Sequence, residues 1–166
     1  MKIAILGLAQ TGKKTLFTLL TGREVPPTRK PEDAVEGIAP IHDKRVDALA
    51  DLYNPKKTTY AENQFVLCPD ITEGSASRQW MDPARRCDLL CILVRAFESP
   101  NVFHPAGSVD AERDRARIDA ELLLADMALV DTRLQRIDKE KKGGQTPEQK
   151  LEEEILHRFN AALEEE

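Results

Sequence analysis

The chain has 166 residues, 32% of them charged and 41% hydrophobic, with a formal net charge of −5. That is enough apolar material for one core. The acidic balance argues against a non-specific binder of nucleic acid, DNA included, which needs a basic face to displace phosphate counterions. No run approaches the roughly 20 apolar residues that span a bilayer, and the amino terminus lacks charged, apolar and cleavage segments in signal-peptide order. A cytoplasmic protein with no membrane partner is expected.

Lys2 to Leu6 (KIAIL) is a short apolar run entering directly into Gly7, the pattern of a strand buried on both faces. From Lys13 to Leu20 the periodicity is helical, and Gly22 offers a stop. Arg23 to Glu36 holds Pro26, Pro27 and Pro31 and reads as a mobile surface loop. A weak strand is expected at Gly37–Ile41. The next helix, Arg45–Tyr53, places Val46, Leu49, Ala50 and Tyr53 on one face and is ended by Asn54 and Pro55. Asn63–Cys68 reads as a strand stopped by Pro69 and Asp70. Thr72–Arg86 reads as a polar loop with only Trp80 and Met81 apolar. Leu89–Val94 (LLCILV) reads as a buried strand. Strands alternating with helices imply a mostly parallel sheet in an α/β core, placed at residues 1–109.

Residues 110–166 have a different character. Ala116, Ala120, Leu123, Met127, Val130, Leu134 and Ile137 step by four and three, the spacing of a coiled-coil seam. Gly143 and Gly144 interrupt it. Thr146-Pro147-Glu148-Gln149 then restarts a helix with Thr as N-cap, Pro at the first position and Gln three after the cap. Leu151, Ile155, Phe159 and Ala162 are expected to supply the matching apolar face of an antiparallel hairpin.

The chemistry concentrates near the amino terminus. Gly7-Leu8-Ala9-Gln10-Thr11-Gly12-Lys13 fits the first seven positions of the phosphate-loop motif G-x-x-x-x-G-K-[ST], with a strand before it and a helix after it. The glycines let successive N–H groups curl round one anion, and the helix start adds its positive dipole end. Lys13 would reach the terminal phosphates. The phosphate-binding candidates are Gly7, Gln10, Thr11, Gly12, Lys13, Lys14 and Thr15. The motif requires Ser or Thr at position 14, where a hydroxyl coordinates magnesium; this chain has Lys14. Thr15 is no simple substitute, because one step along a helix rotates a side chain by about 100°. A second ammonium could neutralise phosphate charge, but it could not bridge two phosphate oxygens as a metal does.

With these residues in view, KIAILGLAQTGKKTLFTLLTG resembles the start of the YchF-type proteins, an Obg-related branch of P-loop GTPases and ATPases. RVDALADLYNPKKTTYAE, DLLCILVRAFESPNVFHPAGSVDAERD and IDAELLLADMALVDTRLQRI are similar to that family's post-switch segment, its fourth strand and its coiled-coil insertion. The resemblance implies a P-loop fold, purine-nucleotide (GTP or ATP) binding with slow hydrolysis, and ribosome association. It matches Gly7, Gly12 and Lys13 to phosphate-binding residues and Gly37 to a glycine ending the first switch.

Departures from the family pattern matter as much. Lys14 stands at the magnesium-binding Ser. Pro31 falls where the first switch offers Thr, with Thr28 a substitute only after a register shift. Leu67 falls at the metal-holding Asp, so Asp70 is the one metal candidate, and only if the strand extends by three residues. A turn cap is the alternative reading of Asp70. No firm cofactor emerges, and no catalytic residue is assigned. The family's later strands, its base-reading motif and its ubiquitin-like module have no counterpart in the sequence, which leaves ATP against GTP open and the sheet truncated after its fourth strand.

Three readings remain: a nucleotide binder with weak or no turnover, which we prefer; a pseudo-GTPase scaffold or interaction module; and a hydrolase using non-standard groups. His42, His104 and His157 read as structural, Arg95 as a strand-end residue of low functional weight, and Cys68, Cys87 and Cys91 as small hydrophobes. Leu89 to Val94 would present an apolar sheet edge, from which a homodimer is expected.

Overall fold

A glycine at each end of the phosphate loop frames the first strand–helix unit, and the rest of the sheet is built round it. The computed structural model describes residues 1–27, 30–72, 74, 78, 80–141 and 144–165. It divides into two compact units, Met1–Arg115 and Ala116–Glu166.

In the first unit β1 (Lys2–Gly7) leads into α1 (Lys13–Thr21), followed by β2 (Val35–Ile41), α2 (Lys44–Tyr53), β3 (Ala61–Leu67), the single turn α3 (Met81–Ala84) and β4 (Leu89–Leu93). The sheet order is β2-β3-β1-β4. β1 is central and pairs in parallel with β3 (Lys2↔Gln64) and with β4 (Ile3↔Leu89), while β2 runs antiparallel to β3. This is the expected mostly parallel α/β sheet. Ala4, Ile5 and Leu6 are fully buried, as an apolar run between two parallel neighbours should be. Ile5, Phe17, Val35 and Leu67 form a core cluster under α1. Gly37 has a packing reason of its own: a Cβ there would lie 2.9 Å from Phe17 Cζ and 2.8 Å from a Thr21 methyl, so only glycine lets α1 approach β2 this closely.

Three local expectations need correction. The Thr72–Arg86 loop contains α3, where Trp80, Met81 and Ala84 are buried, so its few apolar residues anchor a turn of helix. β4 is not a buried strand: it ends the strand order, Leu89 and Leu90 are exposed, and its other three residues are partly buried. α2 has its apolar residues on one face as expected, yet none is buried, and Leu49 and Tyr53 are exposed. Periodicity places residues on a face without saying whether anything covers it.

α4 (Ala111–Glu140) begins in the first unit and runs through the second, which also holds α5 (Pro147–Glu164). The restart is as expected: Thr146 Oγ1 accepts from Gln149 N–H and the Gln149 side chain accepts from Thr146 N–H, a complete capping box with Pro147 at the first position. Of the expected stops, Gly144 adopts φ +95°; Gly143 lies outside the described residues. The seam holds in the later part of α4, where Val130 and Ile137 are buried and Leu123, Met127 and Leu134 partly so. Ala116 and Ala120 are exposed, and Asp114, Ile118, Glu121 and Ala125 are buried in their place. The buried face thus changes along α4, which has 30 residues against the 18 of α5.

The face of α5 is also corrected. Leu151, Ile155, Phe159 and Ala162 are exposed, whereas Glu152, Glu153, Leu156, Asn160 and Leu163 are partly buried. Leu156 and Leu163 are the apolar residues on the partly buried face, and ion pairs flank them. Arg133 Nε and Nη2 donate to the two carboxylate oxygens of Glu152 at 2.6 and 2.7 Å, and Lys141 Nζ reaches Glu153 at 2.5 Å. The bidentate pair adds geometric specificity to this packing. No helix among the described residues is long and apolar enough to cross a membrane.

Candidate phosphate-loop site

Parallel pairing places the carboxyl ends of β1, β3 and β4 at one edge of the sheet, where open α/β folds build ligand sites. The segments leaving these strands therefore converge: residues 9–12 after β1, Asp70 after β3, and Phe97 and Val102 after β4. Together they line a cavity of about 490 Å³ with Gln10, Thr11, Gly12, Lys13, Lys14 and Thr15 on its wall. Gly7 is not on the wall. It sits at the root of the loop with φ +154°, and a Cβ there would lie 2.4 Å from the Leu93 carbonyl oxygen.

The loop turns through left-handed backbone at Gln10 (φ 63°) and at Gly12 (φ 91°), which is the N-cap of α1. Its ammonium group is not extended. Lys13, 4% exposed, donates to the Gly7 carbonyl at 2.8 Å and the Leu8 carbonyl at 2.5 Å, and pairs with Asp70 Oδ1 at 2.8 Å. Thr11 Oγ1 also donates to the Leu8 carbonyl. Lys14 and Thr15 are exposed.

Asp70 reaches Lys13 by a route the sequence does not announce. β3 ends at Leu67 and is not extended by three residues. Backbone bonding to β1 continues, but Cys68 N–H donates to Ile5 O and Ile71 N–H to Gly7 O, so three residues span what two span on β1. The extra residue bulges the chain beside the phosphate loop. Asp70 is an ion-pair partner of Lys13, not only a turn former after Pro69. Pro31 is exposed and does not line the cavity, and Thr28 lies outside the described residues.

Sequence reasoning missed Phe97 and Val102, because nothing local marks a residue that reaches a site from a neighbouring strand. It also undervalued Arg95 and His104 as organisers. Arg95 is 2% exposed; Nε, Nη1 and Nη2 donate to the carbonyls of Phe97, Phe103 and Val102, and the guanidinium lies 4.9 Å from the Phe97 ring centroid. Arg95 thereby shapes the segment that supplies Phe97 and Val102 to the cavity. His104 Nδ1 accepts from Ala106 N–H, which leaves Nε2 to donate to the fully buried Asp114 at 2.9 Å. Arg113 satisfies the other Asp114 oxygen and binds Ser108. This network borders a second cavity of about 760 Å³. His104 has both ring nitrogens committed, so it is not poised as a base toward Ser108. His42 lies against Tyr60 with ring centroids 4.8 Å apart. Cys68 is buried and Cys87 and Cys91 partly so, all three as free thiols.

No protein-family model matches the chain. Curated relatives do. A ribosome-binding ATPase YchF from Haemophilus ducreyi is 32% identical over 98% of this chain and 47% of its own length, and one from Bacillus subtilis is 33% identical over 98% and 46%. Among solved structures, the YchF GTPase of Schizosaccharomyces pombe superposes with a TM-score of 0.71 at 29% identity, covering 99% of this chain and 47% of that one. The chain spans about half the length of the curated relatives it matches. The loop, the strand order and these likenesses agree: this chain belongs to the YchF-type family of P-loop proteins.

Proposed function

We propose that the chain binds the phosphates of a purine nucleotide, ATP or GTP, at the loop from Gly7 to Thr15, with weak or absent hydrolysis. One observation carries the reading: a buried Lys13, a left-handed Gly12 at a helix start and a cavity of about 490 Å³ coincide at the carboxyl edge of the sheet. Its wall also offers the Phe97 ring and Val102 as apolar contacts for the rest of the ligand. The chemistry of position 14 argues for weak turnover, since an ammonium cannot position a bridging metal. The relatives described as ribosome-binding ATPases support nucleotide and ribosome association for this chain too, and a role on the ribosome is a cytoplasmic one.

Calorimetric titration with ATP, GTP and their diphosphates tests the proposal. Dissociation constants below a millimolar are expected, with a loss of roughly tenfold or more in Lys13→Gln, since a hydrogen bond to a charged group contributes about 1.5–3 kcal/mol. No binding of any of the four by a folded protein would refute the reading and leave the scaffold role. Phosphate release measured with bound nucleotide tests the weak turnover. The exposed Leu89 and Leu90 on the terminal strand support a second proposal, a homodimer formed through β4. Light scattering at micromolar concentration should give twice the chain mass; a monomer refutes it.

A further inference from the structure

The family's metal is magnesium, and the donor set here can be tested against it. A divalent cation in a phosphate loop takes the position-14 hydroxyl and a carboxylate after the third strand, besides phosphate oxygens and water. Position 14 is an ammonium, which has no lone pair and repels a dication. Among the described residues the one carboxylate on the cavity wall, Asp70, is held by Lys13 at 2.8 Å. The Thr11 hydroxyl donates to the Leu8 carbonyl, and Thr15 is one position further along α1. Among the described residues no group of three His, Cys, Asp or Glu side chains is placed to hold a metal. The residues do not fit magnesium.

They fit something else. Lys13 and Lys14 are consecutive at the start of α1, both line the cavity, and its described wall residues include one carboxylate against these two ammonium groups. Lys14 is exposed, and among the described residues no acidic side chain holds it. Lys13 can exchange Asp70 and two carbonyls for phosphate oxygens, because an ammonium donates in any direction from a flexible stem.

We infer that this site takes its ligand's polyphosphate free of divalent metal, with the Lys14 ammonium supplying the charge that magnesium supplies elsewhere. The inference rests on the nucleotide-binding proposal and specifies the ionic form of the ligand. Free magnesium then competes with the protein for the phosphates. Adding it should leave affinity unchanged or weaken it.

The experiment is calorimetric titration of the 166-residue chain with ATP and with GTP, once in excess EDTA and once in millimolar magnesium chloride. The expected result is binding in EDTA at least as tight as in magnesium. Lys14→Ala should weaken binding in EDTA by roughly 10- to 100-fold, the range for removing a charged hydrogen-bond donor. Lys14→Ser should lose the same affinity in EDTA and regain part of it with magnesium. Lys14 is exposed, so neither variant threatens folding, and melting temperatures check this directly. Binding tenfold tighter with magnesium than in EDTA overturns the inference and leaves the nucleotide proposal standing. Absence of binding under both conditions overturns the nucleotide proposal itself. Unchanged affinity in Lys14→Ala removes Lys14 from the site and overturns the inference as well.

Discussion

Replacing Gly7 with alanine places a methyl group 2.4 Å from the Leu93 carbonyl oxygen and 3.2 Å from Thr11 Oγ1. The first contact is with backbone, in the register pair Gly7↔Leu93 that joins β1 to β4, so no side chain can rotate away to relieve it. The chain must either separate the two strands at that pair or rotate the peptide, which already stands at φ +154° in a region open to glycine. Forced overpacking costs about 1–3 kcal/mol, and holding a non-glycine residue in such a conformation about 1–3 more. A loss of roughly 2–6 kcal/mol is therefore expected, or a fall in Tm on the order of 10 °C for a chain of this size. Trp80 makes the assay selective. It is the chain's single tryptophan, is 3% exposed and lies in the same unit as Gly7. Urea or thermal unfolding followed by its fluorescence reads the unit under strain, without signal from α5. A Gly7→Ala protein within about 0.5 kcal/mol of the parent, the range of a neutral surface substitution, would refute the close approach of β1 and β4 at the loop root.

Other expected outcomes concern charge and capping. In Asp70→Asn the partner that pairs with Lys13 is weakened, so affinity for ATP should rise several-fold; an unchanged or lower affinity refutes a competition between Asp70 and phosphate for Lys13. Thr146→Ala removes one half of the capping box and should cost about 1 kcal/mol with loss of α5 signal in far-UV circular dichroism. The Glu152 carboxyl is held below its ordinary 4.5 chiefly by the hydrogen bonds from Arg133. A depressed folded value means that the pair stabilises the hairpin above pH 4.5 and loses that contribution as pH falls through the folded value. Carboxyl NMR should show Glu152 returning toward 4.5 in Arg133→Met; a titration that does not move shows the pair is not formed in solution.

The buried charges of the fold are of two kinds. Lys13 is kept ready by exchangeable partners, while Arg95 and Asp114 are locked into buried networks that hold the segment between β4 and α4. The first kind of site is the one we propose for ligand. The second gives shape, and removing one member of it leaves an uncompensated buried charge.

Some of this was decided by local sequence. The strand–loop–helix unit, the left-handed Gly12, the Thr146 capping box and the parallel character of the core are properties of a few adjacent residues, whose backbone preferences are settled by sterics and short-range hydrogen bonds. Tertiary structure alone decided the rest. Asp70 meets Lys13 because one extra residue bulges beside β1, and Phe97 meets the same cavity because β4 is parallel to β1; neither pairing leaves a mark in the spacing of either residue. α5 shows the limit most clearly. Its apolar stripe at Leu151, Ile155 and Phe159 is legible as a helical face, yet that stripe is exposed, while Glu152 and Glu153 on the neighbouring face meet Arg133 and Lys141 from outside the helix. A periodic pattern states which residues share a face, and only the partner across the gap determines which way that face points.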